Sequence, residues 1–332
     1  MPGPPPAIAA VRSAVRRVLA GLATAESASA ATELVLVACS GGADSLALAA
    51  GVAFEAPKLG LRAGAVVVDH GLQEGSAAVA EVAAEQCRSL GLDPVVVRRA
   101  SVGEGAGPED AARQARYAAL DAVAAELGAA AVLLGHTRDD QAEQVLLGLA
   151  RGSGTRSLAG MPSRRGHYVR PLLGVSRDQT EATCTAYGLG VWRDPHNADR
   201  RFTRVRARRG LAALEAELGP GVAEALARSA EVAGEDADAL DALALAAVDG
   251  VDPPAVPVAH LAGQPPAVRR RMWLLLAQRA GARALTRAHV LSLDALVTDW
   301  RGQGPVDLPG LVRAERVAGG LVRIAAQGLV AR

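Results

Sequence analysis

Aromatic residues and lysine are scarce in this chain of 332 residues. Phe, Trp and Tyr make up 2% of it although 50% is apolar, so Ala, Leu and Val must build most of its hydrophobic cores. Lysine occurs once, as Lys58, which excludes a phosphate loop of the Walker A type, because that loop needs a lysine beside its glycines. The formal net charge is only +1, so any surface that binds nucleic acid must be local.

Cysteines and long apolar runs are also few. Cys39, Cys87 and Cys184 are odd in number, far apart and without a C-x-x-C pair, which argues against disulfides or structural zinc and for a reducing compartment. No apolar run is long and uninterrupted enough to span a bilayer. After a Pro-rich end, Arg12 and Arg16 interrupt an amphipathic helical pattern where a signal peptide would be uncharged. The sequence therefore predicts a cytoplasmic protein without a membrane partner.

The most informative stretch runs from Leu34 to Leu48. An apolar run ends in Ser40-Gly41-Gly42-Ala43-Asp44-Ser45 and a helical pattern follows at once, which predicts a buried strand, a tight turn and a helix. Glycine amides at a helix N-terminus can approach and bind phosphate, and the two serine hydroxyls add donors. Asp44 is predicted either to cap the helix or to hold a magnesium ion that bridges phosphates.

Short apolar runs at residues 65–68, 95–97 and 131–134 alternate with helical patterns. This alternation predicts a Rossmann-like, doubly wound parallel sheet, in which ligands bind beyond the carboxyl ends of the strands. Besides the glycine turn, Asp69 with His70 and His136 with Asp139 follow such strands, so we expect them to converge. A Gly-rich stretch at residues 103–107 predicts a flexible loop.

Acids and arginines flank these strand ends. Asp139, Asp140 and Glu143 are spaced so that they can share one face of the next helix. They either favour the helix dipole or form a pocket for a cationic substrate or a metal. Arg113 and Arg116 lie on the preceding helix, where they are either solvated or placed to neutralise a reacting phosphoryl group.

Arginine is densest between Trp192 and Arg209, where Phe202 is also present. Such a stretch is either a solvated charge run or a surface for a phosphate backbone. Beyond it, helical patterns extend to Ala247 and cover residues 267–297, residues 251–258 indicate a linker, and a hairpin is predicted around Gly319-Gly320. We predict a first domain at residues 1–214 and a smaller, mainly helical C-terminal domain at residues 215–332.

Several motifs over residues 33–210 have a distinctive order and spacing: SGGADS, VVVDHGL, ARQARY, GHTRDDQAEQ, RGSG with LAGM, RPLL and RDPHNADRRFTRVR. Together they resemble the tRNA(Ile)-lysidine synthetase family, in its compact form, within the PP-loop ATP pyrophosphatases. The resemblance implies a ligase that uses ATP to attach free L-lysine to C2 of cytidine 34 in the CAU anticodon of tRNA(Ile). The implied route is an adenylated cytidine, with AMP and pyrophosphate as products.

The resemblance also implies roles for single residues. ATP would be bound by the turn and the next strand end, with Mg²⁺ on Asp44, and Arg113 would contact the reacting phosphates. Asp140 and Glu143 would recognise lysine, and His136 or one of these carboxylates is our hypothesis for the base that takes the proton of the amine. The smaller domain and the arginine-rich stretch would hold tRNA, and the oligomeric state stays open, with a homodimer possible. The expected ATP ligands are Ser40, Gly41, Gly42, Ala43, Asp44, Ser45, Asp69 and His70, and the expected tRNA ligands are Arg201, Arg204, Arg206 and Arg208.

Two alternatives remain at this point. A sulfur-transfer enzyme that makes 2-thiocytidine would need reactive cysteines or an iron–sulfur cluster, for which the sequence has no partner motif. A non-catalytic module that binds adenine nucleotides would need the glycine turn but not the acids and arginines described above.

Overall fold

The computed structural model describes residues 3–25, 33–71, 75–100, 108–152, 154–194 and 199–327. Parts of the motifs and one predicted loop lie outside the described residues: Leu72, Ser153, residues 103–107 and residues 195–198.

The chain divides into two compact units, Met1–Val232 and Ala233–Arg332. The domain limits expected above, 1–214 and 215–332, differ from this division, and as domain limits they stay a prediction. Each unit is described by itself below.

The first unit is built on a six-stranded sheet with the strand order β3-β2-β1-β4-β6-β5. β1 (Leu34–Cys39) pairs in parallel with β2 (Arg62–Asp69) and β4 (Ala131–Leu134), and β3 (Val95–Arg99) pairs in parallel with β2. The predicted parallel sheet is therefore confirmed. Because both faces of these central strands are covered, they read as continuous apolar runs in the sequence.

The far edge of the sheet was not predicted. β5 (Arg164–Arg165) pairs antiparallel with β6 (Tyr168–Val169), and β6 pairs in parallel with β4. Strands of two residues are too short to show the alternation that identifies a strand in a sequence.

Helices cover both faces of the sheet. One core packs α1 (Pro6–Ala25), α2 (Ala43–Glu55), α3 (Ser76–Ser89) and α7 (Arg177–Tyr187) on one face, and a second core packs α4 (Pro108–Leu127) on the other. The unit also contains α5 (Arg138–Ala150), α6 (Thr155–Leu158) and α8 (Thr203–Leu218), and α5 packs against α8. Among the described residues, no helix is both long and apolar enough to cross a membrane.

The second unit begins within a long helix, α9 (Val222–Ala247). The elements that follow are β7 (Ala255–Pro257), α10 (Val258–Ala262), α11 (Pro266–Arg279), α12 (Arg287–Thr298), β8 (Val306–Leu308), β9 (Val312–Val317) and β10 (Leu321–Ala326). The buried side chains of Trp273, Met272 and Leu293 lie in a core shared by these helices and strands.

The second unit departs from its sequence-based description in one respect. The hairpin around Gly319-Gly320 is confirmed as β9 and β10, but it belongs to a four-stranded antiparallel sheet with the order β7-β10-β9-β8. The predicted linker at residues 251–258 contains β7, so the unit, in which most residues of regular structure are helical, also contains a sheet. The prolines beside β7 hid a strand of three residues, because proline lowers the expectation of a strand.

Candidate active site

The turn after β1 is shaped by glycine and by its own serines. Gly41 has a φ of +78°, which favours glycine, and a Cβ there would lie 3.2 Å from the Cβ of Ala83. The Oγ of Ser45 accepts the backbone N–H of Ser40 at 3.1 Å and donates to the carbonyl of Gly42 at 2.9 Å. Ser45 therefore maintains the turn with its one hydroxyl proton, whereas Ser40 is exposed and available to a ligand.

The start of α2 is suited to bind an anion. Gly42 is the N-cap, with an extended backbone, and the amides of the first helical turn follow it directly. The backbone N–H of Trp192 donates to the carbonyl of Gly41 at 2.9 Å and fixes the turn from outside. These features support the expectation that the turn binds phosphate.

Acidic side chains gather near the first turns of two helices, α2 and α5. Asp44 lies in the first turn of α2, Asp139 and Asp140 lie in the first turn of α5, and Glu143 follows one turn later. We call these four residues the acid cluster. The positive ends of the α2 and α5 dipoles favour negative charge at this place, which helps to hold several carboxylates close together.

The acid cluster surrounds Arg177, the first residue of α7. Its Nη2 lies 3.1 Å from Asp140 Oδ1, its Nη1 lies 3.6 Å from Glu143 Oε1, and its Nε lies 3.7 Å from Asp44 Oδ2. Its backbone N–H donates to Asp139 Oδ2 at 2.8 Å. One arginine thus contacts carboxylates from both α2 and α5.

The sequence pattern alone does not identify Arg177 as a functional residue, although its position directly after a helix N-cap is a signal. Ser176 and Gln179 form a capping box, so the start of α7 could be recognised from their spacing. A cation directly after an N-cap opposes the helix dipole, and this indicates that negative charge lies nearby.

Asp140 meets the first of the alternatives considered for the acids, a role at the start of the helix, and its role in a pocket for a cation stays a prediction. Its Oδ2 accepts the backbone N–H of Thr137 at 2.9 Å and the Thr137 hydroxyl at 3.2 Å, so it caps α5. Its Oδ1 faces Arg177 in the acid cluster. Capping therefore leaves half of this carboxylate for another function.

Glu143 is the most buried member of the acid cluster, with 2% of its side chain exposed. Its Oε1 accepts the Nε–H of Arg208 at 2.7 Å. Its Oε2 is buried and has no hydrogen-bond partner within the described part of the chain. Because buried polar atoms are normally paired, this oxygen indicates the position of a donor on a ligand.

Asp44 is an acid with a raised pKa. Burial raises the pKa of Asp44 to about 6, and the charges of Asp140 and Asp139 act in the same direction, while Thr180 and Arg177 oppose them. The Thr180 hydroxyl lies on Asp44 Oδ1 and also 2.7 Å from the carbonyl of Arg177, so its single proton is shared between two acceptors. The ionised Asp44 is therefore poorly satisfied by the protein alone.

Asp44 suits a Mg²⁺ ion that bridges nucleotide phosphates. Mg²⁺ is commonly held by one or two carboxylates together with substrate phosphates, and the loop amides would place those phosphates beside Asp44. A dication would also offset the repulsion from Asp139 and Asp140. No three His, Cys, Asp or Glu side chains of the described residues are placed to hold a metal by themselves, so phosphate oxygens must complete such a site.

A second set of side chains consists of three arginines and the histidine whose pKa their charges lower. We call it the cationic group: Arg116, His136, Arg170 and Arg204. Burial lowers the pKa of His136 to about 4, Asp140 opposes this shift, and the charges of the three arginines reinforce it. His136 is therefore neutral at pH 7. His136 Nδ1 and the Nε atoms of Arg116 and Arg170 are buried without partners among the described residues. Unpaired nitrogens beside several cations indicate an anion site.

The structure distinguishes Arg116 from Arg113. Arg113 is exposed on α4, with its guanidinium 5.2 Å from the centre of the Tyr117 ring. The charge of Arg116 acts on both His70 and His136, at the ends of β2 and β4. The role expected for Arg113 stays a prediction, and the geometry favours Arg116 as the arginine at the reacting centre.

Asp69 and His70 lie together after β2. Asp69 Oδ1 accepts the backbone N–H of Gly71 at 2.9 Å, and this bond and one from Ser76 lower the pKa of Asp69, so the carboxylate shapes the turn. His70 Nδ1 is buried without a partner in the described part of the chain, and burial and the charge of Arg116 lower the pKa of His70.

The four arginines expected to hold tRNA have different environments. Arg201 is 84% exposed. Arg206 donates to the backbone carbonyls of residues 200 and 201, at 2.9 and 2.8 Å, and so secures the start of α8. Arg204 belongs to the cationic group, and Arg208 is bound to Glu143. Arginine density in the sequence did not separate these functions.

The three cysteines are free and buried. Cys184 Sγ donates to the carbonyl of Ala43 at 3.2 Å, and burial raises the pKa of Cys184 to about 12. A buried thiol with a raised pKa is a poor nucleophile, so Cys184 does not suit the sulfur transfer that this alternative requires.

Comparisons with known proteins identify the family to which this chain is similar. The PP-loop domain family matches residues 14–215, and the TilS substrate binding domain family matches residues 257–322. The tRNA(Ile)-lysidine synthase of Thermobifida fusca (strain YX) is 55% identical over 327 residues, which cover 97% of this chain and 99% of that protein. The enzyme of the same name from Streptomyces coelicolor is 54% identical and covers 96% of this chain and 99% of its own length.

A solved structure shares the fold. The U34-tRNA thiolase NcsA from Methanococcus maripaludis, with its 4Fe-4S cluster, superimposes with a TM-score of 0.56 at 19% identity, over 69% of this chain and 80% of its own. At this identity the likeness concerns the PP-loop fold alone.

The raised pKa of Asp44 leads to a prediction about stability. The pKa of Asp44 is about 6 in the folded protein, whereas the ordinary value for aspartic acid is 3.8. Asp44 therefore stabilises the folded protein in its protonated form, fully so below about pH 4. This stability is lost as the pH rises through 6. Asp44→Asn removes this loss. We expect its Tm advantage over the unmodified protein, without ligand, to grow between pH 4 and 6 and then stay constant in thermal unfolding.

Asp178→Asn is the control, because Asp178 is exposed in the first turn of α7, where its charge favours the helix dipole. Its Tm should be equal to or slightly below that of the unmodified protein above pH 4. An Asp44→Asn advantage that is independent of pH would contradict the prediction.

A second prediction concerns Gly135, which packs against the start of α2. A Cβ at Gly135 would lie 3.0 Å from the carbonyl carbon and oxygen of Asp44 and from the Cα of Ser45. Gly135→Ala must therefore displace the loop, and we expect the affinity for Mg·ATP, measured by calorimetry, to fall roughly tenfold or more. Gly174→Ala is the matched control because nothing lies within 4 Å of its Cβ position, and equal losses in both variants would refute the explanation.

Proposed function

The chain belongs to the tRNA(Ile)-lysidine synthase family, and we propose that it forms lysidine on tRNA(Ile) in two successive steps within the first unit. The observation that carries this proposal is that both groups contain buried polar atoms without partners in the described part of the chain, Glu143 Oε2 in the acid cluster and three nitrogens in the cationic group. The acid cluster suits the lysine cation, and the cationic group, which is coupled to it through His136 and Asp140, suits phosphate.

In the first step, O2 of cytidine 34 attacks the α-phosphorus of ATP. The new bond joins O2 to phosphorus, and the bond between phosphorus and the pyrophosphate oxygen breaks. The amides at the start of α2 hold the departing phosphates, and Mg²⁺ on Asp44 supplies charge that neutralises them when it is bound. Arg116, Arg170 and Arg204 stabilise the charge that develops on the transferred phosphoryl group.

In the second step, the ε-amine of lysine attacks C2 and AMP leaves. The amine has an ordinary pKa of about 10.4, so it must lose a proton before or during the attack. Transfer of this proton to His136 would add charge to the cationic group, whereas transfer to a carboxylate removes charge from the acid cluster. We therefore place the proton on the free Oε2 of Glu143 rather than on His136.

The proposed substrates, an anticodon loop and a small cation, suit this site. An anticodon loop is single-stranded, so cytidine 34 can turn into the site without melting a duplex. Free L-lysine reaches the acid cluster, and the second unit, which matches a substrate binding domain, holds more of the tRNA. The three free cysteines are in keeping with a cytoplasmic location.

One experiment tests this function against its alternatives. The protein is mixed with ATP, labelled lysine and a tRNA(Ile) transcript with a CAU anticodon, with a tRNA(Met) transcript as the control. Label should pass to tRNA(Ile) alone, and AMP should be transferred to this RNA when lysine is omitted. Nucleotide binding without transfer to RNA would indicate a binding module, and transfer of sulfur in place of lysine would indicate a thiolase.

The lysine-binding role leads to a prediction about Asp140. Asp140→Asn keeps an oxygen that can cap α5 but removes the charge that faces lysine, so lysine incorporation should fall about tenfold or more while adenylation changes little. The two half-reactions are measured separately, with labelled lysine and with labelled ATP. Asp140→Ala should also lower Tm because it removes the cap, and an equal loss of both half-reactions in Asp140→Asn would exclude the lysine-binding role.

The RNA-binding role leads to a prediction about Arg204. Arg204→Gln should weaken binding of tRNA and reduce the slope of log K against log salt by about 1, because one phosphate contact is lost. Arg228→Gln removes an exposed arginine of α9 that is paired with Glu224, and its slope should equal that of the unmodified protein. Filter binding over a range of salt concentrations measures both, and an unchanged slope for Arg204→Gln would remove this residue from the interface.

A further inference from the structure

Arg208 connects the protein surface to its most buried active-site acid. The Nε–H of Arg208 donates to Glu143 Oε1 at 2.7 Å, and the exposed fractions of the two side chains are 38% and 2%. This bond uses one of the five guanidinium donors. The same residue can therefore hold Glu143 on its inner side while it contacts a ligand on its outer side.

The helix that carries Arg208 is firmly packed on the helix that carries Glu143. Val205, Ala207 and Leu211 of α8 are buried, and α8 packs against α5. A shift of α8 therefore moves the guanidinium that holds Glu143. Its Oε1 is fixed by Arg208, with Arg177 further away at 3.6 Å, and its Oε2 is the oxygen left for lysine.

One face of α8 contacts both functional groups of the site. Arg204 and Arg208 are four residues apart, so they lie one above the other on the helix. Arg204 belongs to the cationic group and Arg208 binds the acid cluster. RNA that docks beside Arg204 thus lies next to the residue that orients Glu143.

We propose that Arg208 is a positioning residue that couples RNA binding to lysine binding. This inference rests on the proposed function. A phosphate of the bound RNA holds the outer side of the guanidinium, Nε holds Glu143 Oε1, and Glu143 Oε2 is then aimed at the ε-ammonium of lysine. Lysine therefore binds more tightly to the complex with tRNA than to the free protein, and tRNA binds more tightly in the presence of lysine by the same factor.

The first test compares Arg208→Gln with Arg209→Gln. The two variants each remove one positive charge from neighbouring positions of α8, so a loss of lysine affinity that follows from charge alone should occur in both. Arg209 is exposed and serves as the matched control. We expect KM for lysine to rise about tenfold in Arg208→Gln, whereas Arg209→Gln keeps the KM of the unmodified protein. Arg208→Lys keeps a donor and should restore much of the affinity. An equal rise of KM in Arg208→Gln and Arg209→Gln would overturn the proposal.

The second test measures the coupling directly. Labelled lysine is titrated by equilibrium dialysis against the full-length protein, with and without the tRNA(Ile) transcript and without ATP. The transcript should tighten lysine binding in the unmodified protein and in Arg209→Gln, but not in Arg208→Gln. A transcript effect that survives in Arg208→Gln, whose folding is checked by thermal unfolding, would contradict the coupling.

The proposed function and the role of Arg208 predict different experimental failures. If the unmodified protein does not transfer AMP to tRNA(Ile), the proposed function is wrong, and the coupling falls with it. If AMP transfer is normal but lysine binds equally well with and without tRNA, only the role of Arg208 is wrong.

Discussion

The active site depends on one charge balance, the acid cluster around Arg177. Asp44, Asp140 and Glu143 come from two helices, and close carboxylates repel one another unless a cation lies between them. Arg177 supplies that cation from a third helix and joins α2, α5 and α7 at their first turns. Its planar guanidinium presents several donors in fixed directions, so it can face three carboxylates at once. This balance holds the start of the helix that follows the glycine turn and shapes the acid cluster, the pocket that we propose for lysine.

The site separates charges as the reaction requires. ATP and RNA bring negative charge, whereas lysine brings positive charge, and a site of one sign would attract only one kind of substrate. Here the pKa of His136, a member of the cationic group, is affected by Asp140 of the acid cluster as well as by the arginines, and burial keeps His136 neutral, so it adds no charge to the site. The buried nitrogens on one side and the buried Glu143 Oε2 on the other are costly to leave unpaired. In the proposed function, binding of the substrates would pair the atoms on both sides, which would contribute to substrate affinity.

The sequence predicted what depends on local pattern and missed what depends on distant partners. The strands beside the glycine turn are apolar runs, and the phosphate loop follows from its glycines and the helix after it. Arg177 and Arg208 differ from other arginines only in what they contact, and those partners are 37 and 65 residues away in the chain. The strands β5 to β8 have two or three residues each, too few for a period to appear. Burial likewise distinguishes Arg116 from the exposed Arg113, although the two share one motif.

Asp44 shows why a functional residue can conflict with the stability of its own fold. Burial and the charges of Asp139 and Asp140 raise the pKa of Asp44 to about 6, so its ionised form at pH 7 destabilises the fold. An asparagine at position 44 would avoid the cost of burying a charged carboxylate. Its neutral amide, however, would not balance the charge of a metal ion bound to the phosphates. A ligand that binds the ionised form recovers the free energy that the fold gives up, so nucleotide binding and folding are linked through this one carboxylate. Natural sequences break local rules of this kind at functional sites, and the acid cluster is where this chain does so.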